Sequence, residues 1–174
     1  MKKDRIYIIG TMGSGKSTLA KKLSKKLKIP YYDLDDIFYA RKYTVIRSYE
    51  ECEKLLKNLT KKKKWIIEGV YSKWVESGIK RSHLVICLEI PFLISVYRVI
   101  SRRFKRKGNF NENWRDYFRM LKHNYQYSVS SKKDTWGYRP RKLHDSYIKK
   151  HNKITIHLNG TKEINKFVEE FTKK

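Results

Sequence analysis

The residues at positions 6–18, IYIIGTMGSGKST, constrain the fold of this chain more than any other stretch. Four of them stand at the spacing G-x-x-x-x-G-K-[ST], which is typical of a phosphate-binding loop: Gly10, Gly15, Lys16 and Ser17. An apolar run precedes the loop, and the apolar residues that follow it recur at helical spacing. The stretch therefore predicts a strand, a loop and a helix at the start of an α/β domain, and a binding site for phosphate groups.

Each residue type in the loop has a physical task. Glycines let the chain turn tightly and bring backbone N–H groups close to a phosphate, and the first turn of the helix adds its own unpaired N–H groups. Lys16 can reach the β- and γ-phosphates of a nucleotide, and the Ser17 hydroxyl can ligate Mg²⁺. The alternative is a glycine-rich turn that binds nothing. We expect ATP and Mg²⁺ as cofactors, with ATP bound by nine residues: Gly10, Thr11, Met12, Gly13, Ser14, Gly15, Lys16, Ser17 and Thr18.

The chain is strongly basic, with 42 Lys and Arg residues against 17 Asp and Glu residues and a formal net charge of +25. Such a balance favours contact with nucleic acid, anionic lipid or polyphosphate ligands. A second interpretation is a solvated lysine-rich surface with no selected partner. The lysines are scattered along the chain in short runs, which favours this second interpretation, and we expect only weak, nonspecific binding of nucleic acid.

Composition excludes several classes of protein. The 174 residues suffice for one domain with a full hydrophobic core, which we expect to comprise residues 1–174. Two cysteines and five scattered histidines predict neither a disulfide framework nor a zinc site. The apolar part of the N-terminus is too short for a signal peptide, and no stretch has the length of a membrane span. These features predict a soluble, cytoplasmic protein without a membrane partner.

A second predicted strand, from Tyr31 to Leu34, delivers a cluster of aspartates. In open parallel sheets ligands bind at the carboxyl ends of the strands, so these acids are expected near the phosphate loop. If the chain stays extended, Asp33 and Asp35 share one face. Asp36 fits the N-cap of the next helix, and we assign a catalytic role to Asp35.

The third predicted strand, at positions 65–69, ends in an acid and a glycine. Glu68 would lie beside the phosphate loop, where a carboxylate can hold Mg²⁺ through water or orient a nucleophile. A buried, paired structural glutamate is the alternative. The apolar run at positions 83–90 predicts a core strand, which makes Glu89 a rival of Glu68 for the Mg²⁺ site.

Arginines follow this core strand on a predicted helix. Arg98 and Arg102 are four residues apart and share a face, so they are candidates to close over a transferring phosphate and neutralise its charge. Arg41 and Arg47 either hold an acceptor substrate or belong to the charged surface. The hydrophobic pattern loosens after this helix, and we expect a lid or insert over residues 104–141.

Taken together, TMGSGKST, YYDLDD, WIIEGVYS and VICLEIP…YRVISRR resemble the adenylate-kinase-like proteins described as DNA topology modulation proteins. More broadly, the chain is similar to the nucleoside monophosphate kinase and shikimate kinase group. The resemblance implies a three-layer P-loop NTPase fold, a five-stranded parallel sheet of order 2-3-1-4-5, and a helical lid that carries arginines.

The resemblance also implies roles for single residues. Asp35 falls on the acid after the second strand, and Glu68 falls on the acid of an acid–glycine pair that ends the third strand. Arg98 and Arg102 fall on lid arginines. The chain departs from adenylate kinases at 70–72, where Val-Tyr-Ser replaces Phe-Pro-Arg, and it lacks the glycine triplet of shikimate kinases.

These observations predict a small P-loop kinase. We expect it to pass the γ-phosphoryl group of MgATP to a small acceptor such as a nucleoside, a nucleotide or a related metabolite. In this scheme Lys16, Asp35, Arg98 and Arg102 are catalytic, and Ser17 and Glu68 hold the metal. The alternatives are a nucleotide-gated nucleic-acid-binding protein and a kinase that acts on polynucleotide ends.

Overall fold

A computed structural model of the chain describes residues 4–41, 44–105 and 140–173, together with Phe118, Leu121, Lys122 and Tyr125. Helices and strands alternate along most of this part of the chain. In chain order they are β1 (Arg5–Gly10), α1 (Lys16–Leu27), β2 (Tyr31–Asp33), α2 (Leu34–Phe38), β3 (Tyr39–Arg41), β4 (Val45–Ile46), α3 (Tyr49–Leu59), β5 (Trp65–Gly69), α4 (Glu76–Arg81), β6 (Leu84–Glu89), α5 (Phe92–Lys105), α6 (Pro140–Lys150), β7 (Thr155–Asn159) and α7 (Gly160–Thr172).

Five of the strands form one parallel sheet in the order β2-β5-β1-β6-β7. Numbered among themselves, these five strands have the predicted order 2-3-1-4-5, and the predicted α/β P-loop fold is confirmed. The first strand lies in the centre because its apolar residues can be buried on both faces, whereas edge strands tolerate polar residues. The carboxyl ends of β1, β2 and β5 therefore lie side by side.

The two faces of the sheet support two cores. Ile6 and Ile8 point to the face covered by α1 and α7, and Tyr7 and Ile9 point to the face covered by α3 and α4. This alternation follows from the two-residue period of a strand. Each fully buried Ile or Leu side chain stabilises the fold by about 1.5–3 kcal/mol, and the two cores hold the ends of the strands in place.

The helix after β2 begins differently from the prediction. The strand ends at Asp33, and the Asp33 side chain accepts a hydrogen bond of 2.9 Å from the backbone N–H of Asp35. Asp33 is therefore the N-cap of α2, and the assignment of this role to Asp36 was wrong because the strand stops earlier than its apolar pattern indicates.

In the sequence, Ser48 and Glu51 stand at the spacing of a capping box, which predicts the start of a helix. The structure confirms this box at the start of α3: the Ser48 hydroxyl accepts from the backbone N–H of Glu51 at 3.2 Å, and the Glu51 carboxylate accepts from the backbone N–H of Ser48 at 2.9 Å. The short antiparallel pair of β3 and β4 was not predicted.

Most of the predicted lid at residues 104–141 lies outside the described residues. Among the described helices, none has the length and apolar character to cross a membrane.

Candidate functional site

The phosphate loop connects the central strand β1 to helix α1. Gly13 and Gly15 adopt φ angles of 72° and 98°, a region in which a side chain causes strain. A Cβ atom on Gly13 would also lie only 2.8 Å from the backbone oxygen of Ser95. The sequence needs glycine at these positions so that the loop can curl over the N-terminus of α1, where unpaired N–H groups attract anions.

Lys16 is folded back over the loop. Its Nζ atom donates a hydrogen bond of 2.8 Å to the backbone oxygen of Thr11, and the residue is buried. The hydroxyls of Thr11 and Ser14 are buried without a hydrogen-bond partner in the described part of the chain. Buried polar atoms of this kind are costly unless a partner satisfies them, and a bound phosphate would supply acceptor oxygens here.

Glu68 lies beside this loop at the end of β5 and is 2% exposed. Burial raises the pKa of Glu68, while the charge of Lys16 and a hydrogen bond from the Ser17 hydroxyl lower it. Its Oε1 atom has no hydrogen-bond partner within the described residues. A carboxylate and a hydroxyl are ligands that suit Mg²⁺, which would complete its shell with phosphate oxygens and water, so Ser17 and Glu68 fit such an ion.

Glu89, the rival acid, lies in a different set of contacts. Its Oε1 atom accepts a hydrogen bond of 2.7 Å from Arg141 and lies 3.1 Å from Nδ1 of His157. The charge of Lys16 and a hydrogen bond from the Ser17 hydroxyl both lower the pKa of Glu68. Glu89 instead contacts Arg141 of α6 and His157 of β7. The geometry therefore favours Glu68 over Glu89 as the acid beside the phosphate loop.

The acids after β2 join Glu68 at the same edge of the sheet. Asp33 is paired with Glu68 in the register of β2 and β5. Burial raises the pKa of Asp33 to about 7, and the charges of Glu68 and Asp35 add to this shift. Asp35, the predicted catalytic acid, accepts a hydrogen bond of 2.8 Å from the hydroxyl of Tyr71. Three carboxyl groups thus lie close together, and one of them, that of Glu68, is near Lys16.

Tyr71 was missed in the sequence. Its ring packs against Phe38 at 4.7 Å and Trp74 at 5.2 Å between ring centroids, so the hydroxyl is aimed at Asp35 by a rigid aromatic cluster. Burial and the neighbouring charge of Asp35 raise the pKa of Tyr71 far above its usual value, so the hydroxyl stays a hydrogen-bond donor. In the sequence, the only sign of a difference at this position is that Val-Tyr-Ser at 70–72 replaces the Phe-Pro-Arg of adenylate kinases.

His144 was also missed. It lies on α6, is 1% exposed, and places its Nε2 atom 2.6 Å from the backbone oxygen of Tyr71. Burial lowers the pKa of His144 to about 4, and the charge of Lys16 acts in the same direction. The ring is therefore neutral at pH 7, and it must donate through Nε2 because a carbonyl oxygen only accepts.

The buried histidine predicts a pH dependence of stability. Its pKa is about 4 in the folded chain and 6.5 when exposed, so the unfolded chain binds the proton more readily between these values. His144 should therefore lower the free energy of unfolding by about 3 kcal/mol as the pH falls from 7 to 4. The raised pKa of Asp33 acts in the opposite direction, so the contribution of His144 is read as the difference between the parent protein and His144→Gln, which keeps a donor. Urea unfolding at pH 7, 6 and 5 should show this difference in free energy falling with pH; a difference that does not change with pH would contradict the assignment.

The candidate arginines lie in different parts of the structure. Arg98 donates to the backbone oxygen of Gly13 at 3.2 Å and to the Thr161 hydroxyl at 2.9 Å, so it joins the phosphate loop to the start of α7. The Arg102 side chain lies outside the described residues. One nitrogen of Arg47 donates to three backbone oxygens at the end of α2, those of Asp36, Ile37 and Tyr39, which is a structural role.

The parallel sheet, the phosphate loop and the order of the strands define a kinase-like P-loop NTPase fold. Residues 6–116 match the family model AAA_18, an AAA domain, and the chain belongs to this family.

Two curated proteins are similar to part of the chain. Over 108 residues it is 40% identical to the uncharacterized protein YqaC of Bacillus subtilis strain 168, which covers 62% of the chain and 61% of YqaC. Over 32 residues it is 59% identical to the shikimate kinase of Aquifex aeolicus strain VF5, which covers 18% of the chain and 19% of that enzyme. The chain thus spans less than two thirds of the length of these relatives.

Solved structures share the fold at low sequence identity. A shikimate kinase from Acinetobacter baumannii in complex with shikimate superimposes with a TM-score of 0.57 at 16% identity, covering 97% of this chain and 90% of that one. A sugar kinase from Janibacter sp. HTCC2649 superimposes with a TM-score of 0.53 at 12% identity, covering 98% of this chain and 92% of that one. These likenesses concern the fold alone.

Proposed function

We propose that the protein is an ATP-dependent phosphotransferase that passes the γ-phosphoryl group of MgATP to a small-molecule acceptor. The observation that carries this proposal is the meeting of the phosphate loop with a carboxyl cluster: the charge of Lys16 and the hydroxyl of Ser17 lower the pKa of the buried Glu68, and Glu68 adjoins the half-buried Asp33 and Asp35. Phosphoryl transfer depends mainly on positioning and charge stabilisation, which such a site can supply. The motifs quoted above further favour the DNA topology modulation subfamily.

The loop and its neighbours would hold the donor. The backbone N–H groups of residues 10–18 bind the phosphates, and Lys16 places its charge against the β- and γ-phosphates. Ser17 and Glu68 hold Mg²⁺, which supplies charge neutralisation when bound. Arg98 keeps the loop attached to the start of α7, and Arg102 follows one helical turn later in α5, from where we propose that it approaches the transferring group.

Asp35 would act on the acceptor. An acceptor hydroxyl attacks the γ-phosphorus, its proton passes to Asp35, and the bond from the γ-phosphorus to the bridging oxygen breaks to release ADP. General-base assistance of this kind is worth about 10²–10⁴-fold in rate. Tyr71 is a positioning residue because its hydroxyl fixes one oxygen of Asp35 at 2.8 Å.

The role of Tyr71 can be tested by removing its hydroxyl oxygen. Tyr71→Phe removes the hydroxyl but keeps the ring packing on Phe38 and Trp74, so the fold should persist. A hydrogen bond to a charged group is worth about 1.5–3 kcal/mol, and kcat should fall about tenfold or more while MgATP affinity is unchanged. Unchanged kcat would remove Tyr71 from the mechanism.

A nucleic-acid-binding protein is the second candidate, because the net charge of +25 is large for 174 residues. If the basic surface is only solvated, DNA should bind with a Kd of about 10⁻⁴–10⁻⁶ M at physiological salt, without sequence preference. The affinity should fall linearly with salt on logarithmic axes and should not respond to MgATP. Titrations of labelled single- and double-stranded DNA with and without MgATP test this; submicromolar, ATP-dependent binding would favour the second candidate.

A further inference from the structure

In the described part of the chain, helix α6 is attached to the rest of the domain by polar contacts near its start, its middle and its end. At the start, Arg141 forms an ion pair of 2.7 Å with Glu89, and near the end Lys150 forms one of 2.8 Å with Glu76. Each of these four side chains is at least 35% exposed, so the two ion pairs are solvated and stabilise the fold only slightly. The contact in the middle differs because it is buried.

This middle contact comes from His144. The ring is buried, and its Nε2 atom donates to the backbone oxygen of Tyr71 at 2.6 Å. Burial of a polar ring has a cost that an apolar side chain would avoid, and Tyr147 and Ile148 of the same helix already pack against the core. The attachment of α6 therefore does not require a histidine at this position, and the hydrogen bond itself needs an explanation.

Tyr71, which accepts this hydrogen bond, lies in the connection between β5 and α4. Within the part of the chain that the structure describes, the backbone of Tyr71 forms no hydrogen bond with another backbone group, and its carbonyl oxygen contacts His144. Because a hydrogen bond is directional, this contact fixes the peptide plane that follows Tyr71. Helix α6 thus restrains a connection that belongs to neither a strand nor a helix.

The side chain of Tyr71 leads to the proposed base. Its hydroxyl donates to Oδ1 of Asp35 at 2.8 Å, and its ring packs between Phe38 and Trp74. Apolar contact is non-directional, so this packing limits the tilt of the ring but permits it to slide in its own plane. The held carbonyl and the packed ring together determine where the hydroxyl lies.

His144 also lies next to the phosphate loop. It lines a cavity together with Gly10 and Thr11 of the loop, and the charge of Lys16 acts on its ring. A neutral hydrogen-bond donor suits this place, because a second cation beside Lys16 would be repelled. The same histidine is therefore close to the residues expected to bind the donor and is bonded to the residue that holds the base.

We propose that His144 is a positioning residue for phosphotransfer: its ring holds the backbone of Tyr71 so that the Tyr71 hydroxyl stays on Asp35. The inference rests on the proposed function and adds helix α6 to the acceptor side of the site. Loss of the His144 donor lets Tyr71 shift and Asp35 turn away from the acceptor hydroxyl, whereas the phosphate loop still binds MgATP.

The ¹³C resonance of the Tyr71 Cζ atom tests the proposal without any substrate, because it reports the hydrogen bond of the hydroxyl. Tyr71 is one of 13 tyrosines, and its signal is assigned by its loss in Tyr71→Phe. His144→Leu keeps a side chain of similar size and removes the donor, whereas His144→Gln carries an amide N–H that reaches the position of Nε2. Ile148→Ala is the control, since it weakens the packing of α6 against the same core and leaves the donor in place.

We expect the Tyr71 signal to move in His144→Leu and to keep its position in His144→Gln and Ile148→Ala. Should His144→Leu not fold, His144→Asn takes its place, because its amide ends short of the Tyr71 oxygen. A signal that stays in place when the donor is removed would overturn the proposal. An equal shift in Ile148→Ala would also overturn it, since the docking of α6 as a whole would then be responsible.

A double-mutant cycle connects this contact to the reaction. His144→Leu should lower kcat about tenfold, as expected for Tyr71→Phe, without a change in the KM for MgATP. The double variant should be no slower than either single variant, because both substitutions break the same chain of contacts. Additive losses would contradict the proposal. If the parent protein transferred phosphate to no acceptor, the proposed function would fail while the spectroscopic result would stand, so the two failures are distinguishable.

Discussion

Replacing Lys16 by alanine should abolish MgATP binding without unfolding the domain. The Lys16 ammonium is buried, lies on the backbone oxygen of Thr11 and acts on Glu68, so its charge is concentrated where the phosphates are expected. Loss of a buried charged partner costs about 2–5 kcal/mol, which corresponds to a loss of about 30-fold to a few thousandfold in affinity. Calorimetric titration with MgATP measures the effect.

A control for Lys16→Ala lies on the same helix. Lys25→Ala removes the same charge from an exposed position of α1 and should leave MgATP affinity unchanged. Equal affinity in the parent and in Lys16→Ala would refute the assignment of the phosphate loop.

The second large effect is expected at Asp35. Asp35→Asn keeps the size of the side chain and its contact with Tyr71, but it removes the charge and the basicity, so kcat should fall by about 10²–10⁴-fold. The affinity for MgATP should change little, because the phosphate loop is intact. Steady-state rates of ADP release in the presence of acceptor measure both quantities.

Two neighbouring aspartates provide comparison variants for this test. Asp36→Asn makes the same change at an exposed position of α2 and should leave kcat unchanged. Asn can still cap α2 in Asp33→Asn, so the fold should survive there as well. Normal turnover in Asp35→Asn together with a large loss in Asp33→Asn would move the role of base to Asp33, the half-buried acid whose pKa is raised to about 7.

The features that the sequence predicted well depend on short-range patterns. The phosphate loop is a contiguous motif, and β1 and β6 are continuous apolar runs. The capping box of α3 depends on two residues three positions apart, Ser48 and Glu51. The order of the strands came from the resemblance to P-loop kinases, not from periodicity. The end of β2 was placed too late because Leu34 continues the apolar pattern although its backbone already belongs to α2.

The missed residues depend on contacts across long stretches of the chain. Tyr71 meets Asp35 across 36 positions, and His144 meets Tyr71 across 73 positions. No local pattern marks a tyrosine or a histidine for such a contact, because the packing of α6 against α4 and the aromatic cluster around Tyr71 set it. The pairing of Glu89 with Arg141 arises in the same way, and it separates two acids that look alike in the sequence.

The most direct test of phosphotransfer follows the γ-phosphate itself. Phosphorus NMR of MgATP with the parent protein and a panel of nucleosides, nucleotides and related small metabolites should show loss of the γ-resonance, appearance of ADP, and a new phosphate-ester resonance that depends on the acceptor. Lys16→Ala and Asp35→Asn should each suppress the new resonance. The account would be contradicted if the parent protein bound MgATP but consumed it with none of the acceptors, while its affinity for DNA rose to submicromolar values when MgATP was added.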